Sequence, residues 1–293
     1  MPVYDLAYRA YEGPRRGPLA RWWAIPKFAL LDFIARRAFI AIVTLAAFPF
    51  VVRAAYLYLL ANLDLVRQLG FSPRDLIQVG PGFFKNAIDG QMIFGFAFAF
   101  LLGAGLISRD LEHRALVLYA CKPMRRWEYL LGKIAIVFGV AWVLTWVPAS
   151  LLLALQWGLS PPESPWRAQF MSSTLGLMRP ISMYCLTLAL LLSLLILAAS
   201  SLSRNGRYAG IAFAGFILGE TILVGVLSRR LDDPWVPALS VWRAAADLGH
   251  HLFEAPAVAP LSLRAAWISL LAHGAGALLL LHWSLSRWLR AGR

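Results

Sequence analysis

The sequence predicts an all-α polytopic membrane protein. Hydrophobic residues make up 60% of the 293 residues and charged residues 15%, against about 45–50% and about 25% in soluble domains. A soluble chain of this size does not bury so much apolar surface, and long apolar runs recur along this one. These observations exclude a soluble enzyme, a disordered chain and a disulfide scaffold.

Six apolar stretches are long enough to form transmembrane helices, since a helix needs roughly 20 residues to cross the bilayer core. They are Ala38–Leu60, Ile88–Ile107, Ile134–Trp157, Ile181–Leu202, Ala209–Leu227 and Ala265–Leu285. Arg53 interrupts the first stretch, where we expect a tilted helix whose guanidinium group reaches towards the interface. The predicted organisation is therefore an N-terminal segment (1–37), a six-span domain (38–285) and a short cytoplasmic tail (286–293).

The positive charge predicts the orientation. The net charge is +13, and no nucleic-acid-binding motif accompanies it, so we expect no nucleic-acid partner. With both termini in the cytoplasm, cytoplasmic segments hold 18 Lys or Arg and external segments hold nine. Because Lys and Arg concentrate in cytoplasmic loops, the bias predicts a multi-pass protein of the inner or plasma membrane with both termini inside.

Two segments outside the spans have helical patterns. Leu19 to Arg37 mixes aromatic and basic residues, which favours an amphipathic helix in the lipid headgroup plane that Pro26 starts or kinks; the alternative is a long basic start to the first span. The external segment 228–264 contains an amphipathic run, Val241 to Phe253. That run either dips into the outer leaflet or lies on the surface.

Catalytic and metal-binding motifs are missing from the sequence. Gly132-Lys133 lacks the earlier glycine of a Walker A loop, so it does not cradle a phosphate. The chain has no HExxH zinc motif and no GxSxG nucleophile. We therefore expect no catalytic residue, no metal site and no cofactor on this chain, which is predicted not to be an enzyme.

Two opposite charges lie inside predicted spans, Arg53 in the first and Glu220 in the fifth. A charge in hydrocarbon is costly and usually faces the bundle interior, a water path or a partner charge. Arg53 is the natural candidate partner of Glu220, within one chain or across a dimer. The pair serves either as a gate or substrate contact or as a polar lock between helices.

The predicted cytoplasmic segment 108–133 reads SRDLEHRALVLYACKPMRRWEYLLGK. It combines dense charge with an apolar run that a solvated loop does not need, and this pattern favours a helix that docks on another protein. The candidate contact residues are Arg109, Asp110, Glu112, His113, Arg114, Pro123, Arg125, Arg126 and Glu128.

This segment resembles the stretch after the second span in ABC exporter permeases of the ABC-2 type. Those proteins carry an acidic residue, Gly-Thr, a Leu-rich run, then Pro with Arg three residues on, and Gly-Lys opening the third span. Here Glu112 is the acidic residue, Pro123 is followed by Arg126, and Gly132-Lys133 closes the motif. Arg114-Ala115 stands where Gly-Thr is usual.

The resemblance implies a permease subunit that pairs with a second permease chain, identical or different, and with two cytoplasmic ABC ATPase subunits. The 108–133 segment would carry the coupling helix, and ATP and Mg would bind the partner ATPase, in agreement with the missing Walker motif. Two other classes remain open: a non-transporting membrane anchor or assembly component of a multi-protein machine, and a polytopic membrane enzyme. Membrane lipid is an expected partner in each case.

The charge bias yields a topology test. Reporter fusions at Arg293 and in the 158–180 loop should report opposite sides of the membrane, with Arg293 in the cytoplasm. Two fusions reporting the same side would rule out six spans.

Overall fold

The structure, a computed structural model, describes residues 18–62, 79–115, 126–160, 174–231, 233, 235–258 and 260–291. Every regular element in these ranges is helical. The α-helices are α1 (Pro18–Ile34), α2 (Arg37–Ala61), α3 (Pro81–Phe98), α4 (Gly105–Glu112), α5 (Arg126–Leu159), α6 (Thr174–Leu202), α7 (Gly206–Leu227), α8 (Val241–Leu252) and α9 (Leu263–Ala291).

Six helical stretches are long and apolar enough to cross a membrane, which confirms the predicted span number among the described residues. They are α2, the continuous stretch Pro81–Glu112 that contains α3 and α4, and then α5, α6, α7 and α9. The second stretch is longer than predicted at both ends. Its extra turns carry Lys85 and Asp110, and Asp89 lies next to the predicted start of the span at Ile88.

The bundle has two ends, defined here by the helix termini. At the near end α4 and α6 end and α5 and α7 begin, and contacts such as that between Ser284 Oγ and Ser201 O (2.6 Å) join α9 to α6 there. At the far end α7 ends and α9 begins, and α8 lies between them in sequence. The sequence analysis predicts that the near end is the cytoplasmic one.

Helix α6 forms the centre of the bundle, and α2 and α7 lie at its edge. Of the most apolar window in each, 67% is buried in α6 but only 11% in α2 and 22% in α7. The most extensive helix contact is between α5 and α6. The outer faces of α2 and α7 therefore remain open to lipid or to another chain.

Helix α1 is separate from the first span, because the helical backbone is interrupted at Ala35 and Arg36 before α2 begins. It packs on α5, and a Cβ built on Gly132 would lie 3.0 Å from Ile25 Cγ2, so a larger residue here would push Ile25 away by a few tenths of an ångström. Pro26 lies within α1 and does not start it. The position of α1 in the headgroup plane stays a prediction.

Helix α8 packs into the far end of the bundle, while its depth in the outer leaflet stays a prediction. Residues before and at its start bond to side chains well inside two spans: Ala238 O accepts from Ser269 Oγ at 2.5 Å, and Trp242 N–H donates to Glu220 at 3.3 Å. Glu220 precedes the end of α7 at Leu227 by seven residues, about 10 Å along the helix. The chain therefore re-enters the bundle from the far end.

Candidate functional site

The α-helix of the second span is interrupted close to the near end of the bundle. A π-helical turn, Ala99–Gly103, follows α3, and the Ala104 N–H donates to Ala99 O at 2.8 Å. Helix α4 then begins at Gly105, and the first amides of a new helix lack carbonyl partners within it. Single π turns inside α-helices are frequent at functional sites.

Ser200 of α6 bonds backbone groups at the start of α4. Its hydroxyl oxygen accepts from the N–H groups of Ile107 and Ser108, both at 3.1 Å, and its hydroxyl donates to Ala104 O at 2.6 Å. Ser200 is fully buried. One hydroxyl group from the central span therefore acts as the N-terminal cap of α4.

A buried ion pair joins the same short helix to α5. Lys133 Nζ lies 2.8 Å from Asp110 Oδ2 and donates to Leu106 O at 2.9 Å. Tyr129 donates its hydroxyl to the same Asp110 oxygen at 2.7 Å. Removing one member of such a pair leaves an uncompensated charge, at a cost of about 3–5 kcal/mol. Asp110, predicted as a partner contact, is thus occupied inside the chain.

The other predicted contact residues lie at the near end, with different surroundings. Arg109, Glu112, His113 and Arg114 are exposed. Glu128 in the first turn of α5 is half-buried. Pro123 and Arg125 lie outside the described residues, and Arg126 is described only by its backbone, as the first residue of α5.

Arg114 adopts a left-handed backbone conformation, with φ of 53°. It follows the end of α4, where the His113 N–H bonds Arg109 O at 2.9 Å. Glycine is the usual residue at such a position, and another residue costs roughly 1–2 kcal/mol.

Arg53 and Glu220 do not pair within the described chain, so the intrachain form of that prediction was wrong. Arg53 donates to Pro49 O at 3.3 Å and to Asn86 O at 3.2 Å. The Oε1 atom of Glu220 accepts from the Ser240 hydroxyl at 3.3 Å as well as from Trp242 N–H. Each charge has its own partners because Arg53 faces the start of the second span and Glu220 faces α8.

A second buried polar group at the far end was missed by sequence reasoning. Lys85 Nζ lies 2.7 Å from Asp89 Oδ2, and Tyr184 donates its hydroxyl to Asp89 Oδ1 at 2.7 Å. The i, i+4 spacing of Lys85 and Asp89 was the available signal. It went unused because the predicted span began only at Ile88.

The fold and these sites define a multi-pass helical membrane protein whose near end carries a short, charged helix bonded to two spans. Compared with known proteins, the chain matches no family model and no curated protein. The contacts of the near end therefore carry the functional argument.

The cap of α4 gives a stability prediction. Ser200→Ala removes a buried acceptor that the Ile107 and Ser108 amides share, and a buried amide left without an acceptor costs about 1–3 kcal/mol. We expect thermal unfolding of the purified protein to show a loss of at least about 1 kcal/mol.

Ser193→Ala is the matched control, because Ser193 is equally buried in α6 but its hydroxyl donates only to Leu190 O of its own helix. We expect a loss of less than about 1 kcal/mol there. Equal losses in the two variants would show that Ser200 does not cap α4.

Proposed function

We propose that this chain is the membrane-spanning permease subunit of an ABC exporter, with its near end in the cytoplasm. Separate ATPase subunits bind ATP and Mg and dock on the near end. A second permease chain, identical or different, completes the path. The observation that carries the proposal is the clamped helix α4, which ends in exposed charged residues and is bonded to both α5 and α6.

Three features of the structure support a role in transmitting force. Ser200 fixes the start of α4 to α6, and Lys133 fixes its second turn to α5. The exposed tip, His113 and Arg114, has no such tie among the described residues. A push on the tip therefore displaces α4 together with α5 and α6, the two spans with the most extensive mutual contact.

Residues that match the ABC-2 type motif make structural contacts that agree with this role. Glu112 ends α4, Gly132 admits Ile25 of α1, and Lys133 forms the buried pair with Asp110. Closure of the ATPase subunits would move the tip of α4, and the clamp would pass the motion to the centre of the bundle. The exposed outer faces of α2 and α7 provide surface for the second permease chain and for lipid.

Charge reversal at the tip tests the proposal. Arg114→Glu inverts a charge at the exposed tip, and Arg126→Glu inverts one at a contact position predicted from the sequence; like-charge contacts with a docked partner cost several kcal/mol. We expect at least a tenfold loss of the ATPase that co-purifies with the tagged chain, since about 1.4 kcal/mol corresponds to a factor of ten. The thermal stability of the isolated chain should stay close to that of the wild type.

Arg229→Glu serves as the control, because Arg229 is equally exposed but follows the end of α7 at the far end. It should leave ATPase recovery unchanged. Recovery of a partner without ATPase activity would contradict the proposal and favour a membrane anchor. Normal ATPase recovery with both near-end variants would contradict the assigned docking surface.

A further inference from the structure

A groove runs along the outside of the bundle between the second span and α7. It consists of two adjoining cavities that share Phe100 and Leu101 in their walls. The cavity at the near end has a volume of 430 Å³ and the deeper one 410 Å³. The two cavities adjoin at these residues and form one groove that is open to the outside of the bundle.

The mouth of the groove is charged. The cavity at the near end is lined by Arg109, Glu112 and Arg207, along with Asn205. None of the three charged side chains forms a salt bridge with another described residue, and all three are exposed. The first turn of α7 also opens here, capped by Asn205 Oδ1, which accepts from Arg207 N–H at 2.9 Å. The mouth thus presents two cations, one anion and the positive end of a helix dipole.

The deeper part of the groove is apolar throughout. Its lining residues, apart from the shared pair, are Phe96, Ala97, Phe213, Ala214, Ile217 and Leu218. From Phe96 to Arg109 the second span rises over 13 residues, or about 20 Å at 1.5 Å per residue. This length matches one leaflet with its headgroups, about half of the 40–45 Å bilayer.

Glycines set the floor of the groove by letting the two helices touch. A Cβ on Gly206 would lie 3.1 Å from the Cα of Gly105, and a Cβ on Gly210 would lie 3.2 Å from Phe100 O. The backbones meet at these points, while the larger side chains on either side form the walls. The groove is therefore a built feature of the contact between α4 and α7.

We propose that this groove binds one phosphatidylethanolamine molecule of the near-end leaflet. The phosphate group bonds the guanidinium groups of Arg109 and Arg207, which suit planar, bidentate phosphate contacts. The primary ammonium group donates to Glu112. An acyl chain lies along Phe100, Leu101 and the apolar wall, where its burial is favourable.

The single carboxylate selects this headgroup among phospholipids. Phosphatidylglycerol offers Glu112 only neutral hydroxyl groups, whose hydrogen bonds to a carboxylate are weaker than those of an ammonium group. Phosphatidylcholine has a quaternary ammonium group with no N–H to donate. Arg109 and Glu112 face this groove on the side of α4, whereas the tip at His113 and Arg114 is the proposed ATPase surface, so this inference does not rest on the proposed function.

Lipid binding to the purified, delipidated full chain tests the proposal. Native mass spectrometry would compare phosphatidylethanolamine, phosphatidylglycerol and phosphatidylcholine with identical dioleoyl chains. We expect phosphatidylethanolamine to bind at least tenfold more tightly than the other two. Equal binding of the three lipids by the wild-type chain would overturn the proposal without any variant.

Variants then locate the site. Glu112→Gln should abolish the preference over phosphatidylglycerol, and Arg109→Gln with Arg207→Gln should weaken both lipids at least tenfold. Ala214→Trp fills the apolar part and should weaken binding without altering a charge. Arg264→Gln, an exposed arginine at the far end, should change nothing.

Two further results would also overturn the proposal. One is undiminished phosphatidylethanolamine binding by the double arginine variant. The other is equal competition by phosphoethanolamine without acyl chains, which would mean a soluble phosphate ligand instead of a lipid.

Discussion

The hydroxyl group of Ser200 is the contact on which the near end of this bundle depends. The second span stops being a regular α-helix at Ala99, and a new helix starts at Gly105. Ser200 is the side-chain acceptor for two amides of this new helix, Ile107 N–H and Ser108 N–H, and a buried amide left without an acceptor costs about 1–3 kcal/mol. The cap also fixes where Asp110, three residues after Ile107, meets Lys133. The ion pair therefore depends on the hydrogen bonds before it.

The direction of α4 determines what each of its sides offers. One side carries Asp110 against α5, another carries Arg109 and Glu112 towards α7, and the exposed tip carries His113 and Arg114. On the two proposals made above, a lipid binds the side and an ATPase binds the tip of one eight-residue helix. Movement of the tip would then change the lipid groove, since both belong to the same rigid element.

The apolar runs alone predicted the six spans, because no soluble fold needs stretches of that length. The predicted second span was too short, since Lys85 and Asp110 resemble loop residues until their partners are known. Ser200 gave no signal, because a serine in an apolar run looks the same whether it bonds its own helix or another. Glu220 was assigned the wrong intrachain partner because the sequence does not show that Ser240 and Trp242 re-enter the bundle to its depth.

Amide hydrogen exchange of the purified chain tests the central claim, that α4 is held by Ser200 as one unit with α6. The Ile107 and Ser108 amides should exchange as slowly as the neighbouring amides of the span. Exchange at these two positions should become at least tenfold faster in Ser200→Ala but not in Ser193→Ala, since opening free energy sets protection. Fast exchange of the two amides in the wild-type chain, or no change in Ser200→Ala, would contradict the account.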